Sequence, residues 1–253
     1  MRKDGDLVAV ITFKRVEKKY MMTHSQYYKF RKLIEDYMQV DKYGFSTICN
    51  LYYDTENYEL ARRSIEKPVY KEKFRLRSYG VPEITDTVFL ELKKKYKGVV
   101  YKRRVELPLK EAYESIKNKS FDNSGTGSQA GQIEAEITYF LNQYDLYPRV
   151  FLAYDRIAMF GKKDLGLRMT FDFNIRNRTY DIDLLKGDKG ELLFDDDRVL
   201  LEIKVSAAYP FWLVHALEEC GIYPVSFSKY GTIYKKYLFP DYNTKVKGDV
   251  VLL

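Results

Sequence analysis

The chain has little of what most metal and redox chemistry is built on. Two cysteines, Cys49 and Cys220, occur in 253 residues and form no CxxC pair. A zinc cluster is thereby excluded, and a reduced, cytoplasmic setting is expected. The two histidines, His24 and His215, stand at a helix-start signal and in a Trp-bearing helix, so both read as structural. No Ser-His-Asp or Cys-His nucleophile is visible, nor a Gly-rich phosphate loop. The opening "MRKDGDLVAV" lacks the apolar core of a signal peptide. No run approaches the ~18 uninterrupted apolar residues of a membrane span, so no membrane insertion by this chain is expected.

What the chain does have is charge, apolar mass and tyrosine. Hydrophobic residues make up 45% and charged residues 31%, enough for a sizeable core. Length alone favours neither one domain nor two. The net charge of +7 suggests an anionic partner. Tyrosine occurs 24 times against one tryptophan, giving strands a wide apolar face that keeps a hydroxyl for phosphates or buried carbonyls.

Alternation and turn signals predict strands at Leu7–Tyr20, Phe45–Tyr53, Val69–Tyr79, Val88–Lys97, Val99–Leu107, Arg149–Phe160, Leu167–Phe173 and Arg198–Val205. Helical spacing predicts helices at Ser25–Met38, Leu109–Asn118, Gln132–Tyr144, Pro210–Cys220 and Lys229–Leu238. "NKSFDNSGTGSQAGQ", residues 118–132, reads as one flexible loop near the middle of the chain. On either side lies an arginine strand followed by a Glu-x-Lys strand: "FRLRSY" then "FLELKKK", and "YDRIAMFGKKDLGLRMTFD" then "LLEIKVS". This weak internal repeat suits an α+β fold, a closed antiparallel barrel of about eight strands with helices packed outside.

Residues i and i+2 of a strand share a face. Arg15, Glu17 and Lys19 therefore align, as do Arg75 with Arg77, Glu91 with Lys93, Lys102 with Arg104, Tyr154 with Arg156, Arg168 with Asp172, and Glu202 with Lys204. The residues between them, such as Phe74, Leu76, Leu90, Leu92, Ile203 and Val205, are bulky and apolar. If helices cover that apolar face outside, the charges line a lumen; the other reading is an ordinary sheet with its polar face in water. The repeated arginine at i, i+2 and the carboxylates among the cations favour the lumen. Glu17, Glu91 and Glu202 would relieve cation repulsion there and could hold a divalent metal. A tunnel of this kind fits tri- or polyphosphate, with arginine forks on phosphate oxygens and Mg²⁺ or Mn²⁺ bridging carboxylate to phosphate.

Eight motifs in order, "FKRVEKKY", "FRLRSYG", "VFLELKKK", "VVYKRRVEL", "YDRIAM", "LRMTFD", "LLEIKVS" and "SFSKY", resemble the catalytic domain of the vacuolar transporter chaperone (VTC) polyphosphate polymerases. These belong to the triphosphate tunnel metalloenzymes, relatives of the CYTH phosphatases. The resemblance runs from about Phe13 to Tyr237, and implies that residues 1–253 form one triphosphate-tunnel catalytic domain. It implies a metal-dependent phosphotransferase that passes the γ-phosphate of ATP to a growing polyphosphate chain, with Mn²⁺ or Mg²⁺. By the matching motifs, Lys19, Arg75, Arg77, Lys93, Arg156 and Arg168 would act on the phosphates in catalysis. Lys102, Arg104, Tyr154, Ser228 and Lys229 would bind substrate, and Glu202 would hold the metal with Glu17 or Glu91 as further carboxylates. Ser228 also reads as a plain helix N-cap.

The chain departs from the family pattern in three ways. The eukaryotic polymerases append an inositol-phosphate-sensing domain and membrane helices that this sequence lacks, so a membrane-protein partner would have to replace them. Ser226 stands where a further basic residue is usual, which weakens the cationic product path. Arg15 stands where CYTH hydrolases carry the first glutamate of Glu-x-Glu-x-Lys, which favours the polymerase branch. The alternatives are a tripolyphosphatase or nucleoside triphosphatase on the same barrel, and a nucleic-acid or other polyanion binder. Nucleic acid is not expected, because glutamates interrupt the basic faces.

Overall fold

The computed structural model describes residues 16–66, 68–97, 99–121, 129–194, 197–206 and 208–239. Strand β1 (Val16–Thr23) ends in Thr23, whose hydroxyl accepts from the Gln26 backbone while the Gln26 side chain accepts from the Thr23 N–H. This capping box starts α1 (His24–Leu33). The sequence predicts this helix through Met38, but a turn intervenes and Met38 opens β2 (Met38–Asp54), pairing with Gly161. A break in register between Val40 and Phe45 hides that upstream half of β2 from the alternation pattern. Leu7 to Arg15 of the first expected strand, and 122–128 of the expected loop, lie outside the described residues.

After β2 come α2 (Glu59–Ile65), which the sequence did not signal, and β3 (Tyr70–Tyr79), β4 (Thr87–Tyr96) and β5 (Val99–Pro108). Two helices follow, α3 (Leu109–Asn118) and α4 (Gln129–Gln143), then β6 (Tyr147–Gly161) and β7 (Arg168–Arg178). The two-residue β8 (Glu191–Leu192) precedes β9 (Arg198–Val205), α5 (Phe211–Glu219), β10 (Pro224–Val225) and α6 (Lys229–Ile233). A π-helical turn, Tyr234–Leu238, extends α6, in place of the uniform helix the spacing predicts.

All strand pairings are antiparallel and form one ten-stranded sheet, in the order β10-β1-β9-β7-β6-β2-β3-β4-β5 with β8 beside β7. The antiparallel α+β architecture is the one expected. The expected ladder closure is not: among the described residues no ladder joins β5 to β10, so the sheet is hydrogen-bonded as an open one. It nevertheless curls. Lys73 of β3 donates to Ser228 at the start of α6, 2.9 Å away, although β3 and β10 lie far apart in strand order.

The alternation divides the sheet as its parity predicts. On the outer face Tyr20, Met22, Phe171, Leu201 and Ile203 pack under α1 and α5. Leu51, Phe74, Leu76, Leu90 and Leu92 pack with Ile137 and Phe140 of α4. Full burial of side chains such as Phe74 contributes roughly 1.5–3 kcal/mol each, which fixes the register that turns the charged residues inward. One element departs from the expectation that helices lie outside. Tyr230 and Ile233 of α6 and Tyr234 beyond it pack on the concave face against Ile48, Tyr52, Leu152 and Leu200, filling part of it with an apolar plug.

Candidate phosphate-binding tunnel

Three carboxylates organise the concave face. Glu91, in mid-β4, is 2% exposed and stands between Arg75 on β3 and Arg104 on β5 in register. Arg75 donates to Oε2 through Nε at 2.8 Å and lies at 2.6 Å through Nη2. Lys102 and Arg104 converge on Oε1, at 2.6 Å and, through Nε, 2.8 Å. Arg77 completes the ring at 3.9 Å. Burial would push the Glu91 carboxyl up, but Arg75, Arg77 and Lys102 hold it well below the usual carboxylate range. The same guanidinium groups reach onward: Arg75 donates to the Tyr52 hydroxyl at 2.9 Å, and Arg77 to Asn50 Oδ1 at 2.9 Å and to the Tyr154 hydroxyl at 3.2 Å.

Asp172 on β7 is the second organiser. It is fully buried and bidentate to Arg156, with Nε–Oδ1 2.6 Å and Nη2–Oδ2 2.9 Å, and it receives Lys229 at 2.5 Å. Tyr154 lies between these groups, with the Lys229 ammonium 4.5 Å and the Arg156 guanidinium 4.9 Å from its ring centre. Burial raises its phenol, but Arg156, Arg77 and Lys229 outweigh burial and bring it down to about 8.

The third group is looser. Glu202 on β9 has Lys19 at 3.5 Å and Lys204 at 3.4 Å, and Lys204 also reaches Glu17 at 3.6 Å. Its side chain is 13% exposed, against 32% for Glu17. Burial raises the Glu202 carboxyl and the nearby Lys204 and Lys19 lower it further than that, with Glu17 as a hydrogen-bonding neighbour. Among the described residues no three metal-ligating side chains come together, so Glu17 and Glu202 offer a two-carboxylate edge.

The expected residues thus fall into distinct places. Arg75, Arg77, Lys102, Arg104, Arg156, Tyr154 and Lys229 surround Glu91 and Asp172, and Lys19 joins Glu202. Glu91, expected as a possible metal carboxylate, has both oxygens hydrogen-bonded to arginine, whereas the Glu202 oxygens meet lysines at longer distance. Ser228 is the N-cap of α6, accepting from the Gly231 N–H at 3.1 Å, and it accepts from Lys73 as well. Lys93 and Arg168 are solvent-exposed on the charged face, Arg168 opposite Lys204 in register. Sequence reasoning missed Lys73, Asn50 and Tyr52. Lys73 shares the parity of Arg75 and Arg77, a signal that was available; Asn50 and Tyr52 sit in an apolar run whose parity alone is silent.

The geometry describes a concave basic surface whose cations are pre-oriented by buried carboxylates. A VTC domain model matches residues 14–238. A putative adenylate cyclase from Bacillus halodurans is similar in structure, with a TM-score of 0.50 at 12% identity over 85% of this chain and 93% of that one. So is the putative adenylyl cyclase HpAC1 from Hippeastrum, described as having a dominant triphosphatase activity, with a TM-score of 0.51 at 16% identity over 89% and 98% of the two chains. A comparison with curated protein sequences returned no match.

Proposed function

The chain belongs to the VTC domain family, and from that premise we propose that it is a polyphosphate polymerase, passing the γ-phosphate of ATP to a growing polyphosphate chain. The observation that carries the proposal is the ring of arginine and lysine around Glu91 and Asp172. It holds guanidinium and ammonium donors apart at fixed positions, ready for the oxygens of a phosphate chain. Phosphoryl transfer asks for positioning and charge neutralisation more than for covalent help. A chain-end phosphate is already an anion and attacks without a strong base.

A divalent ion fits the Glu17–Glu202 edge. Carboxylate oxygens are the hard donors that Mg²⁺ or Mn²⁺ takes, and a two-carboxylate edge suits an ion that keeps waters and takes phosphate oxygens for its other positions. Such an ion would neutralise charge developing on the phosphates. The chain's own residues do the rest: Arg75, Arg77 and Arg156 orient phosphate oxygens, Lys19 and Lys93 neutralise them, and Tyr154, which accepts from Arg77, keeps its own proton to donate.

The second reading is a triphosphatase of the same fold, the activity in the description of the Hippeastrum protein. A hydrolase must activate water. Glu91 and Asp172 are committed to cations, leaving Glu17, with one ion pair at 3.6 Å, as the most available carboxylate. Since Glu17 is also taken by the Glu17–Glu202 edge that would hold the ion, none of these carboxylates is left to activate water, which favours the polymerase. Incubation with ATP and Mn²⁺, followed by a polyacrylamide gel stained for polyphosphate, tests it. A ladder with ADP release is expected; phosphate release without a ladder would establish the hydrolase. Among the described residues no helix is long and apolar enough to cross a membrane.

A further inference from the structure

Lys73 shares the inward parity of Arg75 and Arg77 on β3. Its Nζ donates to Ser228 Oγ at 2.9 Å, and among the described residues no carboxylate pairs with it. The groups that act on it are Lys19 from β1, Lys71 and Arg75 from its own strand, and Lys93, its register partner on β4. Glu17 and Glu202 act in turn on Lys93. Among the described residues neither Lys73 nor its register partner Lys93 has an ion pair, so an entering anion would supply the missing counter-charge. Ser228 is a fitting neighbour for either charge state, because its oxygen accepts from the Gly231 N–H at 3.1 Å while its own proton remains to be given.

We propose that Lys73 and Ser228 form a proton-coupled phosphate subsite, in which Lys73 rests as a neutral amine beside the Ser228 hydroxyl and takes up one proton when a phosphate settles among Lys73, Lys19 and Lys93. The balance is simple: the amine lone pair takes a proton from solvent, and the resulting ammonium donates to a phosphate oxygen. Burial first, and then the ammonium groups of Lys19 and Lys93, bring the Lys73 side chain down to about 7, so near-neutral solution already holds much of it unprotonated. A bound anion reverses that repulsion and returns the lysine towards its ordinary range. Uptake is therefore near one proton around pH 8, falls through pH 7 and is small by pH 6, where most of the group is already charged. The inference rests on the phosphate-tunnel reading and adds to it a residue and a proton.

The test uses metal-free tripolyphosphate, so that no turnover occurs, and titration calorimetry in two buffers of different ionisation heat at pH 8 and pH 6. Wild type is expected to bind at both values, with about one more proton taken up at pH 8 than Lys73→Arg takes up. Lys73→Arg keeps the charge and should hold affinity within a few-fold, while Lys73→Met should lose about tenfold. Equal proton uptake in wild type, Lys73→Arg and Lys73→Met at pH 8 would overturn the subsite. Failure of the wild type to bind tripolyphosphate at all would overturn the tunnel reading itself, and the subsite with it.

Discussion

Glu91 and Glu202 open the same short phrase, Glu-x-Lys on a strand, and the fold puts them to different uses. Glu91 lies between two arginine-bearing strands and is enclosed by four cations, with its side chain 2% exposed. Glu202 lies between β1 and β7, faces two lysines at 3.4–3.5 Å, and has a second carboxylate for a neighbour. Cross-strand neighbours make the difference. Arginine forks on both sides consume a carboxylate's lone pairs, whereas lysines at longer distance leave oxygens that a metal can take. A motif therefore fixes which face a residue is on, and the adjoining strands fix whether it is structure or chemistry.

The largest effect that would break this comparison is at Glu91. Glu91→Gln leaves Arg75, Lys102 and Arg104 crowded around an uncharged amide and should cost about 3–5 kcal/mol, read from urea unfolding, with turnover lost as well. The pH dependence follows from the sign of its shift. Its folded carboxyl is held well below the unfolded value, so the stabilisation is fully present above about pH 4–5 and is lost progressively as pH falls from there towards the depressed folded value. Wild type should lose stability on acidification through that window more steeply than Glu91→Gln does. Equal acid profiles would show that Glu91 is not the organiser its contacts describe.

Glu202→Gln should do the reverse. The unfolding free energy should fall by less than about 1 kcal/mol, since the Glu202 ion pairs are long, while turnover falls at least about a hundredfold at saturating Mn²⁺. A large stability loss with residual metal-dependent turnover would make the two glutamates alike. Arg75 and Lys93 sharpen the same contrast one step down. Arg75→Ala removes the two nitrogens that meet Oε2 of buried Glu91 and should cost about 1–3 kcal/mol as well as activity. Lys93→Ala should abolish turnover with little change in unfolding, because the side chain is solvent-exposed on the charged face.

How much of this was legible beforehand follows from where information sits. Period-2 alternation assigned Arg75, Arg77, Glu91, Lys102, Arg104, Arg156 and Glu202 to one face, because a strand's register cannot slip without burying its charges. Pairing between strands is not written in either strand. The enclosure of Glu91 depends on Arg75 and Arg104 arriving from β3 and β5, and Asp172 is claimed by Lys229 from 57 residues away. The inward packing of α6 was hidden for a related reason. Tyr230 and Ile233 look like any amphipathic face, and nothing local says that the apolar surface they meet is the concave one. Lys73 was readable from parity and was passed over because no motif contained it.

The smallest expected effect concerns Tyr154, which sits between Arg77, which donates to its hydroxyl, and the Arg156 and Lys229 held by Asp172. Its phenol is brought down to about 8, below the ordinary tyrosine value near 10. A tyrosinate absorbance rising near pH 8, before the other tyrosines, is therefore expected in the metal-free protein and should be missing from Tyr154→Phe. Saturating tripolyphosphate should move that titration upward, since bound phosphate neutralises the three cations that favour the phenolate. Turnover at pH 7 should fall only about two- to tenfold in Tyr154→Phe, because the arginine and lysine donors remain. An early tyrosinate that tripolyphosphate leaves in place would put the phosphates away from Arg77 and Arg156, towards the Glu202 side of the concave face.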